Sequence, residues 1–360
     1  MICTVKKSPA IPGRLNRKEV TAMKKILCLI LALVMALSLA ACGNTSAPAA
    51  DDGDASGEAV DTPVKGNFSM GTGGDQGTYY AVGGVLGTVI NQKTNGNIAI
   101  NVVSTGGSKD NLDNMGLGVY QLATVQSDVM SYAYNGTNSF AESGAVTNFR
   151  VLCGLYAETV QLVTTNPDIK SVADLAGKKV CVGDVGSGTY FNTVDILAAY
   201  DMTLDDVEPV YQSFGDSTDS LQDGKIAAAV ITAGAPTPAV ETLSNAKDVY
   251  LISIDDEHMA KLLKNSPQYA SYTISAGTYG IKEDAVTITT KATLVCSDTL
   301  TDDQAYAIVS TIFNSKADIV ALHAKGNELD YTFATEGMAV PFHAGAARFF
   351  AEQGITVEAK

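Results

Sequence analysis

From residue 67 onward, short apolar runs alternate with stretches whose apolar residues recur every three or four positions. Residues 67–71, 98–104 and 122–126 read as strands, and 78–92, 108–117 and 127–134 as helices between and after them. This βαβαβ rhythm predicts a parallel sheet with crossover helices. Residues 150–164 form one long strand-like region, and 174–178 a short helix stopped by Gly177. A second alternation places strands at 179–182, 207–211, 227–231 and 249–253. Its helices fall at 190–200, 217–223, 236–245 and 255–265, with Pro236 at the start of the third. Residues 272–275 and 287–295 are again extended, and 301–353 are mostly helical. We therefore expect an α/β protein of two lobes, 66–158 with 274–360 and 159–273. Two chain crossings make a hinge, with a ligand in the cleft between the lobes.

Ahead of this domain, residues 26–39 are almost wholly apolar and follow Met23-Lys24-Lys25. The run is short for a membrane span and ends in small residues, as export signals do. Leu39-Ala40-Ala41-Cys42-Gly43 has the form of a bacterial lipobox, where cleavage precedes a cysteine that then carries lipid. Cys42 is thus the expected lipidation site and 23–41 the expected signal peptide. Residues 1–22 precede a complete signal and hold no apolar run, so we expect translation to start at Met23. Residues 42–65, rich in Ala, Gly, Ser and Asp without a period, read as a flexible tether.

Charge narrows the partners. The chain carries a formal −15, and its basic residues are concentrated before Cys42, so the exported part is more acidic still. Such a surface repels nucleic acid and anionic lipid, leaving the lipid anchor as the expected membrane contact. Beyond Cys42 the cysteines are Cys153, Cys181 and Cys296, each in an apolar run, which favours buried free thiols over a disulfide framework. His258, His323 and His343 are scattered and no metal-ligand spacing occurs, so neither metal nor cofactor is expected.

The chemistry lies in three glycine-rich loops that hand a strand over to a helix. They are Gly71-Thr72-Gly73-Gly74-Asp75-Gln76-Gly77-Thr78-Tyr79-Tyr80, Ser104-Thr105-Gly106-Gly107-Ser108 and Gly183-Asp184-Val185-Gly186-Ser187-Gly188-Thr189. In a parallel α/β lobe such loops share the carboxyl edge of the sheet, each offering free N–H groups and hydroxyls to an anion. A carboxylate held between loops of both units would couple the lobes. Gln126 ends a strand and could donate to a ligand, while Asp128 reads equally as a helix cap. Tyr156 and Glu158 lie near the first crossing and suit either ligand contact or hinge. Gly234, in the loop before Pro236, is a plausible contact from the second lobe. A dinucleotide reading fails because the third glycine falls at Gly77 and the next strand ends in Ser104-Thr105 instead of an acid. No Walker lysine and no G-x-S-x-G elbow appears, and the acid pairs Asp205-Asp206 and Asp302-Asp303 sit at helix starts, where they cap.

The ordered set of motifs resembles the TAXI solute receptors of TRAP transporters. It comprises Gly71-Thr72-Gly73-Gly74, Tyr79-Tyr80, Thr105-Gly106-Gly107-Ser108, Gln126-Ser127-Asp128, Tyr156-Ala157-Glu158-Thr159-Val160 and Asp174-Leu175-Ala176-Gly177-Lys178. It continues through Gly186-Ser187-Gly188-Thr189, Gly234-Ala235-Pro236-Thr237-Pro238, Gly277-Thr278-Tyr279, Lys291-Ala292-Thr293-Leu294-Val295 and Pro341-Phe342-His343-Ala344-Gly345-Ala346. Ala157 and Gly280 depart from the family, which commonly has proline there. The resemblance implies a two-lobe, periplasmic-binding-protein type II-like fold. It implies a small organic acid, dicarboxylate or glutamate-like, captured between the lobes and delivered to a TRAP permease membrane subunit driven by an ion gradient. It implies no catalysis. Carried over by motif, ligand contacts would come from Thr72, Gly73, Thr78, Tyr79, Ser108, Gln126, Ser187, Gly188 and Thr189, with Asn111 one turn beyond Ser108. Arg150 and Arg348 are the only arginines after Cys42, so a carboxylate would rely on N–H and hydroxyl donors, with Lys109 as a further one. Two other readings remain open: a ligand-sensing lipoprotein without a transport role, and an exported hydrolase using Ser187.

Overall fold

The computed structural model describes residues 63–360. The expected signal peptide, Cys42 and the tether up to residue 62 lie outside the described residues. In the first lobe, β1 (Gly66–Gly71) leads through α1 (Thr78–Lys93) to β2 (Ile98–Val103), and α2 (Ser108–Gly116) leads on to β3 (Leu122–Gln126). Both β2 and β3 pair with β1 in parallel. Helix α1 turns Val82, Gly83, Leu86, Gly87, Val89 and Ile90 inward, the spacing of one helical face. Its glycines permit close approach to the sheet: a Cβ on Gly83 would lie 2.8 Å from the Thr72 methyl. α3 (Ser127–Asn135) follows β3 with no intervening loop and stops at Gly136, which is left-handed with φ 63°.

All sixteen residues of β4 (Phe149–Thr164) are buried. A strand of that length reaches about 50 Å, enough to serve both lobes, and its unbroken burial explains why it reads as apolar without alternation. The second lobe adds β5 (Lys179–Cys181), α4 (Gly188–Ala199), β6 (Glu208–Val210), α5 (Phe214–Gln222), β7 (Ala228–Ala233) and α6 (Pro238–Ala246). It closes with β8 (Tyr250–Leu251), α7 (Asp256–Asn265) and β9 (Ala270–Ile274). The return strand β10 (Ala285–Ser297) runs antiparallel between β3 and β4. The strand order is β2-β1-β3-β10-β4-β7-β5-β6, with β8 on β4 and β9 on β10. Helices α8 (Asp302–Asn314), α9 (Lys316–Leu322), α10 (Tyr331–Thr335) and α11 (Ala344–Glu352) complete the chain. The aromatic residues of α8, α10 and α11 join the core around β1 and β3, while Val160, Val180, Ile196 and Val230 form a separate core beyond the crossing. A mixed α/β protein with separate cores at the two ends of one sheet, bridged by two long antiparallel strands, is the two-lobe periplasmic-binding-protein type II-like fold. Among the described residues, no helix is long and apolar enough to cross a membrane.

Local chemistry moved some boundaries. α5 starts at Phe214, earlier than the apolar pattern suggests, because Ser213 Oγ accepts from the Asp216 amide and donates to its carboxylate. The proline opening α6 is Pro238, and Pro236 instead follows a cis bond to Ala235. Asp174 closes a capping box on a short 3-10 turn, Val172–Leu175. Cys153, Cys181 and Cys296 are buried free thiols, and burial pushes Cys153 up to about 12, far from thiolate chemistry.

The join between α8 and α11 makes a sharp stability prediction. A Cβ on Gly345 would sit 2.0 Å from the Asp302 carbonyl oxygen and 2.9 Å from the Tyr306 amide nitrogen, both backbone atoms that cannot swing aside. Gly345→Ala is expected to cost about 2–3 kcal/mol by overpacking. Urea unfolding of the two proteins checks it; equal midpoints would mean that the helix ends separate freely.

Candidate functional site

A cavity of about 330 Å³ lies between the lobes, at the carboxyl edge of the parallel strands. Four helix starts reach its wall: α1 with Gly77, Thr78 and Tyr79, α2 with Gly107 and Ser108, α4 with Gly188 and Thr189, and α5 with Ser213 and Phe214. The first turn of a helix leaves amide N–H groups without intrahelical partners, so such ends can offer the cavity N–H donors without a basic side chain. α1 and α2 are entered from Gly77 and Gly107, neither of which caps its helix with a side chain. Gly107 sits at φ 105°, a conformation that brings the loop beside Ser187 of the other lobe. There the Gly186 carbonyl accepts from the Lys109 amide at 3.2 Å and the Asp110 amide at 3.4 Å. One helix start is therefore already occupied by the opposite lobe, as a contact that holds the cleft together.

Eight of the expected ligand residues line the cavity: Gly73, Thr78, Tyr79, Ser108, Gln126, Ser187, Gly188 and Thr189. Three stand behind the wall. Thr72 is fully buried and its hydroxyl donates to Val103 O. Asn111 is fully buried and its amide donates to Thr72 O and Thr124 O, tying the first loop to β3. Gly234 presents its carbonyl to the Thr78 hydroxyl at 2.8 Å, and a Cβ there would meet Lys325, Thr78 and Tyr156 within 3 Å. Lys109 points away from the cavity, paired with Asp113 at 2.7 Å and lying over the Phe140 ring. Arg348 pairs with Asp303, remote from the cleft.

Most hydroxyls expected to face a ligand instead hold the loops that frame it. Ser108 Oγ accepts from the Gln126 amide, Ser187 Oγ donates to Asp184 O, and Thr189 Oγ1 accepts from the Thr232 amide. The Gln126 side chain belongs to a buried network across the lobes. Its Nε2 donates to Asn192 Oδ1 at 2.9 Å and Asp128 Oδ1 at 3.2 Å. Asn192 Nδ2 donates to Asp128 Oδ2 and to Tyr269 Oη, and Asn192 Oδ1 also accepts from Thr232 Oγ1. Asp128 is thus a network node, not the helix cap that its position in the sequence also suggested; burial pushes its carboxyl up, and the donors pull it back. Gly188 has to lack a side chain because a Cβ would lie 2.0 Å from Gln126 Oε1.

One corner of the cavity is left unpaired. Glu158 lines the wall, is only 1% exposed, and its Oε2 has no hydrogen-bond partner. The Tyr79 hydroxyl, on a residue of the wall, and the Tyr156 hydroxyl, on a residue behind it, are likewise buried without partners. Burial holds the Glu158 carboxyl well above its ordinary range; Lys325 opposes that shift and Glu328 adds to it. Tyr79 and Tyr156 are raised by burial and then by Glu158 itself. The wall also includes Asp75 and Asp184, which lie in the glycine loops without being among the expected contacts, and Ser213, Phe214 and Thr232, which lie outside those loops. Of the latter three only Ser213 carries a local signal, since Ser-x-x-Asp is a helix start.

The chain is similar to several solved ligand-binding proteins. The alkanesulfonate-binding protein SsuA of Xanthomonas axonopodis pv. citri, solved with MOPS, is 14% identical with a TM-score of 0.46, over 80% of this chain and 90% of that one. A TRAP periplasmic solute binding protein from Sulfitobacter, solved with β-D-galacturonate, is 14% identical with a TM-score of 0.44, over 82% and 89%. The GluR0 ligand-binding core of Nostoc punctiforme, solved with L-glutamate, is 14% identical with a TM-score of 0.43, over 72% and 99%. A model of the NMT1-like family matches residues 70–354, a span that holds every residue lining the cavity, and the chain belongs to the NMT1-like family.

Proposed function

We propose that this protein is the extracytoplasmic solute receptor of a TAXI-type TRAP transporter, exported and anchored through a lipid on Cys42. It captures a small organic acid, dicarboxylate or glutamate-like, between lobes 66–158 with 274–360 and 159–273, and hands it to an ion-gradient-driven permease. The observation that carries the reading is the convergence of four helix starts, two from each lobe, on one cavity at the lobe junction. Amides from both lobes on one anion make closure and binding a single event. The ordered motifs from Gly71 to Ala346 favour the TAXI assignment, and the lipobox at Leu39–Cys42 supports the anchor. The hydroxyls around Ser187 are committed to loop structure, which favours binding over hydrolysis.

A thermal-shift screen against organic acids and amino acids, on protein freed of carried-over solute by unfolding and refolding, tests the proposal. A true solute at 100 times its Kd adds about 2.7 kcal/mol of stability. Gly74 lines the cavity and a Cβ there would meet nothing within 4 Å, so Gly74→Leu places a side chain in open space at the wall. This variant is expected to keep its melting temperature within a few degrees and to lose the solute-induced shift. An undiminished shift in Gly74→Leu would move the binding site elsewhere.

A further inference from the structure

We infer that Tyr279 is a positioning residue for the cleft. It holds the segment 234–239 of the second lobe in the shape that clamps the first glycine loop, and so sets how firmly the lobes close. What the closure serves rests on the solute reading above; the clamp itself is independent of it.

The first observation is backbone strain. Tyr279 sits at φ 55° and ψ 14°, a left-handed conformation uncommon outside glycine, between Gly277 at φ 91° and Gly280 at φ 77°. A turn that only reversed the chain between β9 and β10 would put glycine or asparagine there. A tyrosine held in that conformation marks a place where its surroundings dictate the backbone. The second observation is what that conformation secures. The Tyr279 ring packs against the second-lobe cluster that includes Ala233, Val240 and Leu243. Its hydroxyl makes two bonds of 2.6 Å, accepting from the Thr237 amide and donating to Gln161 Oε1. Burial pushes this hydroxyl up to about 12, so it keeps the proton that it donates. Gln161, on β4, is buried and returns two bonds to the same segment, from Nε2 to Ala233 O and to Thr237 Oγ1.

The third observation is where the segment leads. Thr237 Oγ1 donates to Gly234 O, and the same carbonyl accepts from the Thr78 hydroxyl of the first lobe. Two residues past Thr237, the Ala239 amide donates to Gln76 O, again in the first lobe, at 3.3 Å. Gln76 and Thr78 flank Gly77, from which α1 starts at the cavity wall. Three bonds thus run from the Tyr279 hydroxyl to a cavity residue: Tyr279 to Thr237, Thr237 to Gly234, and Gly234 to Thr78. A plain cap on α6 needs only the first of them. Tyr279 does not itself line the cavity, so it acts through the segment that it holds. A separate lobe contact, the Lys109 and Asp110 amides on Gly186 O, opens whenever the lobes part.

Amide hydrogen exchange of the solute-free protein, read residue by residue by NMR, tests the inference. Tyr279→Phe keeps the ring and removes both hydroxyl bonds. The Ala239, Lys109 and Asp110 amides are expected to exchange about tenfold faster, the value of one neutral hydrogen bond. Amides in the middle of β1 and β3 should keep their rates, the pattern of lobes parting without unfolding. Faster exchange confined to residues 236–241, with Lys109 and Asp110 unchanged, overturns the inference and makes Tyr279 a cap on α6. A uniform acceleration that includes β1 and β3 overturns it as well, by general destabilisation. Either result leaves the solute reading standing, since the thermal-shift screen decides that separately. Should Tyr279→Phe fail to fold, Gly280→Ala is read in the same way. A Cβ there meets open space, and only the left-handed backbone of the turn is disfavoured.

Discussion

Asn192→Leu is expected to lower the stability of the protein by about 4 kcal/mol, more than any other single change to the cavity surroundings. The Asn192 amide uses all of its hydrogen-bonding capacity: Oδ1 accepts from Gln126 and Thr232, and Nδ2 donates to Asp128 and Tyr269. Each of these partners is itself buried, and only Gln126 and Thr232 also reach the cavity wall, so leucine leaves four polar groups short of a bond in largely dry surroundings. Asn192→Asp separates this explanation from simple loss of shape. It places a second carboxyl at the 3.0 Å contact with Asp128 Oδ2, and two buried carboxyls so close cannot both ionise. The folded pair retains a proton that the unfolded chain releases, so its titration is raised on folding. Stability is then full below the ordinary carboxylate range and is lost as pH rises through the raised value. Asn192→Asp should therefore come nearest the parent below about pH 4, short of the second bond that a single O–H cannot make, and fall behind by about 3 kcal/mol more near pH 8, by urea unfolding. A deficit independent of pH would show that the pair does not share a proton.

That network was legible in the sequence only in part. The glycine loops and the strands leading into them announce themselves through local rules, so the two-lobe α/β arrangement and eight cavity residues follow from pattern and motif. Partnership across 64 residues has no local signature: nothing near Asp128 says that Asn192 will meet it, and an acid at a helix start reads as a cap. The same blindness explains the hydroxyls. Thr78, Ser108, Ser187 and Thr189 line the cavity, yet each is engaged in fixing a loop, a fact set by tertiary distance. Lys109 looked available because its partner, Asp113, lies on the next turn of the same helix, an ordinary surface pairing that sequence cannot orient. Glu158 was visible as an acid inside an apolar strand, and such an acid demands a reason. Whether that reason was hinge or ligand depended on where the strand crosses the cleft.

The relation between the loops and the network suggests how closure is sensed. Gln126 lies in the cavity wall, and its amide carries the bond to Asn192 in the other lobe. Gly186 of the second lobe meets the start of α2 in the first. On the proposed reading, a solute that spans the wall touches residues whose own bonds cross the cleft, and the same contacts that recognise it stabilise the closed arrangement. The energetic link between binding and closure would then lie in Gln126, Asn192 and the loop around Gly186, apart from the long strands β4 and β10 that join the lobes.

If a glutamate-like solute of the proposed function sets its ammonium beside Glu158, its affinity is expected to rise with pH, by up to about tenfold per unit, with release of up to one proton for each solute bound. Five groups bear on the Glu158 carboxyl. Tyr156 is its neighbour on β4, Tyr79 faces it from α1, the Gly234 amide approaches from the loop after β7, and Lys325 and Glu328 come from the turn Ala324–Glu328. Burial outweighs the pull of Lys325, so in the empty protein the carboxyl titrates well above 4.5. An arriving ammonium stabilises the charged form and brings the value down, so the proton is expelled on binding. The effect spans the interval between the lowered and the raised values. The sign for the empty protein is the reverse: a carboxyl raised on folding lends stability below its unfolded value and loses it as pH rises through the folded one. Unliganded stability should therefore decline with rising pH while affinity climbs. Calorimetry at pH 5.5 and 7.5, in buffers of different ionisation heat, reads both the affinity and the proton count, and Glu158→Gln should abolish the proton release. Proton uptake with affinity falling as pH rises would mean that Glu158 stays neutral and donates to an anionic group, which would make the solute an acid at both ends.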